Sequence, residues 1–301
     1  MTNHQKWTAE KISDQSGKTV IVTGANSGIG YEASAALVRK GAKVIMACRS
    51  VEKGKAAAAK IEQQNPMGEV ILKQLDLADL SSVARFADDF LAEYEQLDIL
   101  LNNAGVMAVP YRQTADGFEM QFGTNHLGHF ALTGRLINIL QKTPGSRVVT
   151  VSSFAHMIGK INFDDLNSEK SYQKWLAYGQ SKLANILFAY ELQRRAAETG
   201  NDPISIAVHP GYAATNLQRS SPFFRFANKF MAQSQEMGAL PSLYAATHPD
   251  IQGGEYIGPD GFLGQRGYPK QVRSSSRSYD LETTKHLWEV SEELTGVQFD
   301  F

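Results

Sequence analysis

The chain has 301 residues, a single cysteine and a net charge of −1, with 43% hydrophobic and 20% charged residues. This suits a globular protein with a sizeable core, arranged as one large domain or two small ones. Near-neutral charge argues against general attraction to nucleic acid or anionic membrane, Cys48 alone cannot form an intrachain disulfide, and no apolar run approaches the roughly 18 residues that span a bilayer.

The opening from Met1 to Lys18 is polar and is expected to be neither a secretory signal nor an anchor, which together with the lone thiol gives a cytoplasmic expectation. Trp7 is expected to pack against the body and tie this arm down. Thr19 to Thr23 is a β-branched run that predicts a buried strand. It leads into Gly24-Ala-Asn26-Ser27-Gly28-Ile29-Gly30 and then a helix over Tyr31 to Lys40, ended by Gly41. Strand, glycine-rich turn and helix form the context in which such glycines carry meaning. Gly24 permits the tight turn, Gly28 the approach of backbone to a pyrophosphate, and Gly30 the contact of helix with strand, while the helix N-terminus offers N–H groups to phosphate.

Lys43 to Cys48 reads as the second strand. A dinucleotide fold usually carries an acid just beyond it to hold the ribose 2′-hydroxyl. This chain has Arg49, which favours a 2′-phosphate and so NADP(H) over NAD(H). An alanine-rich helix over Val51 to Gln64, a strand over Glu69 to Leu75, a helix over Ser81 to Tyr94 and a strand over Leu97 to Leu101 follow. The alternation predicts a doubly wound α/β fold with a parallel sheet, and ligands bind at the carboxyl ends of such strands. Asp76, Leu77, Asn102, Asn103, Ala104 and Gly105 fall there.

Thr114 to Leu140 reads as a long helical region containing Asn125, His126 and His129. The two histidines lack metalloprotease spacing and an acidic companion, so structural roles are expected and no metal is called for. Arg147 to Val151 is the fifth strand and delivers Ser152 and Ser153 to the same edge. Phe154 to Trp175 reads as irregular, followed by a helix over Leu176 to Ala197. Tyr178 and Lys182 are one turn apart on its face, where an ammonium is expected to lower the phenol's pKa from about 10 and make it a proton donor or acceptor. Ile204 to Val208 is a sixth strand leading to His209-Pro210-Gly211, and Tyr212 to Met237 is expected to cap the site. Pro241 to Thr247 reads as helix, Glu255 to Ile257 as a last short strand, and the tail contains a helix around Leu281 to Leu294. No internal repeat or long linker appears, so one domain is expected: an arm over 1–17, a core over 18–260 and an extension over 261–301.

Thr23-Gly-x-x-x-Gly-Ile-Gly30, Asn102-Asn-Ala-Gly105, Val151-Ser-Ser153, Tyr178-x-x-x-Lys182, and Pro210-Gly211 with Thr215 occur in the order found in the short-chain dehydrogenase/reductase superfamily, which the chain resembles over roughly residues 18 to 260. His156 through Gly159, Phe163-x-Asp-Leu166 and Ser181-Lys-Leu-Ala-Asn185 resemble its retinol-dehydrogenase-like branch, which includes the WW-domain oxidoreductases. The resemblance implies a Rossmann-type fold and hydride transfer between a nicotinamide and a carbonyl or alcohol. Tyr178 would be the general acid/base, Lys182 its partner on the ribose, Ser153 (or Ser152) the substrate-oxygen donor, and Asn125 the holder of a relay water. Asn102, Ala104 and Gly105 would lie along the cofactor, Asp76 near the adenine and Thr215 near the carboxamide.

Phe154, Met157, Trp175, Tyr212, Phe223, Phe224 and Met231 suggest an apolar substrate. A homo-oligomer through the Leu176 to Ala197 helix is expected from the resemblance, unless the long tail covers it. The alternatives are a non-catalytic NADP(H)-binding regulator, a light-driven pigment reductase and a sugar-nucleotide epimerase. The epimerase has a different glycine spacing and a larger C-terminal domain than this chain.

Overall fold

The structure is a computed structural model and describes residues 6–200, 203–212, 233–261 and 264–301. The first half alternates as expected: β1 (Thr19–Thr23), α1 (Gly28–Arg39), β2 (Lys43–Cys48), α2 (Val51–Glu62), β3 (Glu69–Gln74), α3 (Leu80–Glu93) and β4 (Ile99–Asn102). Then α4 (Met120–Phe122) passes through a π-turn (Gly123–Leu127) into α5 (Gly128–Arg135), α6 (Ile137–Lys142) and β5 (Arg147–Val151). A 3-10 turn (Phe154–Ile158), α7 (Lys174–Thr199), β6 (Ile204–Val208), α8 (Gln235–Thr247), β7 (Tyr256–Pro259), β8 (Pro269–Gln271) and α9 (Leu281–Thr295) complete the described chain.

The strands form one sheet in the order β3-β2-β1-β4-β5-β6-β7-β8. Its pairs are parallel except for β8, which runs antiparallel to β7. The order reverses between β1 and β4, which opens a crevice at their carboxyl ends. Side-chain alternation along each strand splits the core into two layers. Val20, Val22, Val44 and Met46 pack with Leu37, Ile61 and Leu243 from α1, α2 and α8. Ile21, Ile45 and Leu100 pack with Phe86, Phe90, Phe130 and Phe188 from α3, α5 and α7. Trp7 is buried edge-on against Tyr244 of α8, ring centroids 5.2 Å apart, so the arm is tied down.

Four local expectations shift. The helix expected from Thr114 starts only at Met120, because Gly117 adopts φ 86° and Gln113 bridges to Glu119. It also breaks at Leu136, which leaves the helical region at φ −101°, ψ 2°. The helix around Pro241 begins at Gln235, capped by Ser234, whose hydroxyl accepts the Met237 N–H. The short β8 was not anticipated, since three residues beginning with proline carry no period.

α7 is buried through most of its length because β5 and β6 lie on one side while the π-turn, the 3-10 turn and α9 cover the others. Trp288 of α9 stacks on Phe188 at 5.8 Å and meets Phe130 edge-on at 5.0 Å and Phe299 at 4.5 Å. No helix among the described residues is long and apolar enough to cross a membrane. Truncating Trp288 to alanine empties the centre of this aromatic cluster and is expected to cost about 3–5 kcal/mol, read as a lowered urea midpoint at unchanged slope.

Candidate active site

The glycine turn is held to the sheet by β4's exit loop. The Thr23 hydroxyl accepts the N–H groups of Asn103 and Ala104, each at 2.9 Å, and the Asn103 side-chain amide donates to the Thr23 carbonyl at 2.8 Å. A Cβ on Gly30 would lie 2.5 Å from that amide nitrogen and 2.7 Å from the Gly24 carbonyl oxygen, so only glycine fits. Gly24 and Gly28 sit at φ 67° and 60°, the left-handed region that glycine enters without strain. Ser27 precedes α1 without capping it, so the first-turn N–H groups keep their capacity to hold an anion. This cradle fits the pyrophosphate of a dinucleotide.

A cavity of about 470 Å³ runs from this turn along the sheet edge. Gly24, Asn26, Ser27, Gly28, Ile29, Gly30, Arg49, Asp76, Leu77, Ala104, Gly105, Pro210 and Gly211 all line it, as do Ser153, Tyr178 and Lys182. At one end, Arg49, Ser50 and Lys53 face it, and neither cation has an acidic partner among the described residues. Lys53 sits in the first turn of α2, which Ser50 caps by accepting the Lys53 N–H, and no local pattern marks this lysine as facing the cavity. Asp76 accepts the Ala78 N–H at 3.0 Å, which shapes the turn after β3.

Met157 does not line the cavity, and two expected catalytic or cofactor residues also stand apart from its wall. Asn102 is fully buried and donates to the Thr133 hydroxyl at 3.0 Å, pointing into the helical layer, while its neighbour Asn103 faces the cavity. Asn125 sits in the π-turn. Its side chain clasps Val106, accepting its N–H at 2.8 Å and donating to its carbonyl at 3.0 Å, with a further bond to Ser181 at 2.9 Å. It thereby fixes the loop carrying Gly105 and Val106. His126 and His129 bond Ser291, Thr23 and the Asn125 carbonyl within the core. Thr215, Phe223, Phe224 and Met231 lie outside the described residues, as does most of the expected cap.

At the other end, β5 and α7 converge. The 3-10 turn and α7 meet through glycines: a Cβ on Gly159 would lie 2.3 Å from the Gly179 carbonyl oxygen. Ser152 is turned inward and donates to the Lys182 carbonyl at 2.6 Å. Ser153 stays at the cavity, accepting the Ala155 N–H at 3.2 Å, with the Tyr178 phenol lining the same cavity. The Lys182 ammonium donates to the Val151 carbonyl at 3.0 Å and lies 5.9 Å from the Tyr178 ring centroid.

Electrostatics here depart from the expectation that lysine would acidify the phenol. Burial raises the Tyr178 pKa to about 12, opposed by the Ser153 hydroxyl, and burial lowers the Lys182 pKa to about 8. Desolvation acts on both groups, and the ammonium is too weakly placed to reverse it for the phenol.

The arrangement is that of a dinucleotide-binding oxidoreductase fold. The sequence matches the short chain dehydrogenase family over residues 18–223, and the chain belongs to that family, whose members bind a nicotinamide cofactor. It is 44% identical to retinol dehydrogenase 12 of Mus musculus over 290 residues, covering 94% of this chain and 88% of the relative. It is 43% identical to human retinol dehydrogenase 11 over 287 residues, covering 94% and 87%. An uncharacterized protein from Mycobacterium paratuberculosis has a solved structure with a TM-score of 0.84 at 45% identity, covering 98% of this chain and all of that one.

Between about pH 8 and 10 the unfolded chain still holds the Lys182 proton that the folded chain has released, so this lysine's contribution to stability grows as pH rises. Above pH 10 the unfolded phenol ionises before folded Tyr178 does, and the slope turns down. Urea titrations from pH 7 to 10 are expected to show roughly 2 kcal/mol of gain that Lys182→Met lacks.

Proposed function

We propose that the protein is an NADP(H)-dependent oxidoreductase interconverting an apolar carbonyl compound and its alcohol, with Tyr178 as general acid/base. The observation that carries this reading is the meeting of Ser153, Tyr178 and Lys182 at one end of a cavity whose other end holds the glycine turn and the Arg49–Lys53 cations. A bound nicotinamide supplies or accepts the hydride. In the reducing direction the Tyr178 hydroxyl donates its proton to the substrate oxygen as charge builds there, and the Ser153 hydroxyl donates a second hydrogen bond. In the oxidising direction Tyr178 takes the alcohol's proton. The Lys182 ammonium stabilises the phenolate in either direction, and its remaining N–H groups are available to the cofactor's ribose. Asn125 holds the Gly105–Val106 loop beside this ammonium.

Arg49 and Lys53 favour a 2′-phosphate, since Arg49 and not an acid directly follows β2 and Glu52 does not line the cavity. The relatives named retinol dehydrogenases support a long apolar alcohol or aldehyde as substrate. Met107, Phe154 and Trp175 at the cavity give that substrate an apolar wall, and Phe154 is 47% exposed there.

Tyr178→Phe is expected to reduce NADPH oxidation with aldehyde substrates by at least about a hundredfold while NADPH affinity changes little. Retained turnover would remove Tyr178 from the chemistry, and NADPH binding without turnover across a panel of retinoid and simpler carbonyls by the unaltered protein would make it a binding protein. Arg49→Asp is expected to invert the preference between NADPH and NADH, measured by fluorescence titration of both; an unchanged ratio would move the 2′-phosphate contact elsewhere.

A further inference from the structure

The turn that presents Ser153 is gripped from behind by a part of the chain far away in sequence. His156, in that turn, is 3% exposed. Its Nε2 receives the backbone N–H of Ser275 at 3.1 Å. A peptide N–H only donates, so Nε2 presents its lone pair and the ring proton resides on Nδ1. That Nδ1–H points at the Ser153 carbonyl oxygen, 2.7 Å away, and the same oxygen accepts the His156 backbone N–H at 3.0 Å. The C-terminal segment adds a second hold through Arg277, which donates to the carbonyls of Met157 at 3.3 Å and Gly159 at 3.2 Å. Tyr256 closes the other side of the ring, edge-on at 5.5 Å, with its hydroxyl 3.4 Å from Nδ1, and His209 stacks on Tyr256 at 5.3 Å.

The direction of the Ser153 hydroxyl depends on its peptide. Ser153 is extended (φ −157°, ψ 158°), and its Oγ accepts the Ala155 N–H at the cavity that Tyr178 also lines. Fixing the following peptide by its carbonyl limits how far Oγ can wander. We infer that His156 is a positioning residue: its neutral ring joins the Ser275 peptide to the Ser153 carbonyl, and so lets the C-terminal segment set the Ser153 hydroxyl against Tyr178. The inference rests on the role proposed above for Ser153 and Tyr178. His156 itself does not line the cavity.

The test compares His156→Phe, His156→Gln, Ser275→Pro, Ser275→Ala, Ser153→Ala and the Ser153→Ala/His156→Phe pair. Each is assayed for kcat and KM on a turned-over carbonyl substrate, and for NADPH affinity. His156→Phe, which can neither donate nor accept, is expected to lower kcat about 10- to 100-fold with KM and NADPH affinity within about twofold. His156→Gln retains a donor and an acceptor and should recover most of that loss. Ser275 has φ −64°, a value proline adopts, so Ser275→Pro keeps this backbone angle while replacing the donated N–H with a ring methylene that pushes the imidazole away; with the contact broken kcat should fall several-fold, whereas Ser275→Ala should be silent.

In the Ser153→Ala background, His156→Phe should cost less than about twofold, because the group it positions is already gone. Ring ¹⁵N shifts of His156 in the cofactor-free protein should report the Nδ1–H tautomer. Equal losses from His156→Phe with and without Ser153, an unchanged kcat, loss confined to NADPH affinity, or an Nε2–H tautomer would each overturn the inference. A silent Ser153→Ala would instead remove the proposed role of Ser153, and the inference with it. Should His156→Phe fail to fold, Ser275→Pro against Ser275→Ala decides: equal effects overturn it.

Discussion

The geometry of the candidate site depends on one junction, where the end of β5 meets the middle of α7. Lys182 and Asn185 both donate to the Val151 carbonyl at 3.0 Å, and Ser152 donates back to the Lys182 carbonyl at 2.6 Å. These bonds cross between a strand and a helix in both directions, so neither element can slide along the other without leaving buried polar groups unmet. Within this lock, consecutive serines that both line the cavity are sorted by their hydroxyls: that of Ser152 is spent on the Lys182 carbonyl, while that of Ser153 donates to no protein carbonyl of the lock. The glycine contact between Gly159 and Gly179 brings the backbones close enough for Ser153 to reach Tyr178.

The same junction explains the protonation states. A lysine buried against a carbonyl oxygen gains one good hydrogen bond but loses most of its hydration, so its pKa falls toward about 8. Tyr178 suffers the opposite shift for the same reason. The protein without cofactor therefore holds a neutral phenol beside an easily discharged amine. A phenol that resists ionisation donates its proton only when an acceptor with developing negative charge is placed against it, which confines proton transfer to the productive complex.

Much of this was legible in the sequence, for identifiable reasons. Gly24, Gly28 and Gly30 are local to one turn, and Tyr178 and Lys182 are local to one helix, so their spacing alone specifies relative geometry. The sheet's alternation was equally plain, because strands buried on both faces read as continuous apolar runs. Legibility fails where placement is decided by contacts distant along the chain. Nothing local distinguishes Asn102 from Asn103, yet one faces Thr133 and the other the cavity. The helix start at Met120, by contrast, turns on the nearby Gly117, and nothing along α2 marks Lys53 as a lysine that faces the cavity. The shift in the Tyr178 pKa was misjudged because burial, which no spacing reveals, outweighs a neighbouring charge.

The C-terminal extension shows how a segment without a recognisable motif takes part in the site's architecture. Its last helix fills the apolar face formed by Phe130 and Phe188 with Trp288, and Phe299 closes over the same cluster. That face of α7 is consequently occupied within the chain, and association with a second copy through it would require α9 to be displaced. The large aromatic burial anchors α9, and the preceding segment is held across α7 by Tyr190, whose ring stacks on Tyr279 at 5.6 Å and whose hydroxyl bonds Ser274 at 2.9 Å. An anchored segment can hold a peptide N–H still at small entropic cost, because the ordering has already been met by apolar contact elsewhere. The hydrophobic packing of the tail and the polar contact of Ser275 with the Ser153 turn are thus parts of one arrangement: the first supplies the free energy, and the second uses the rigidity it creates.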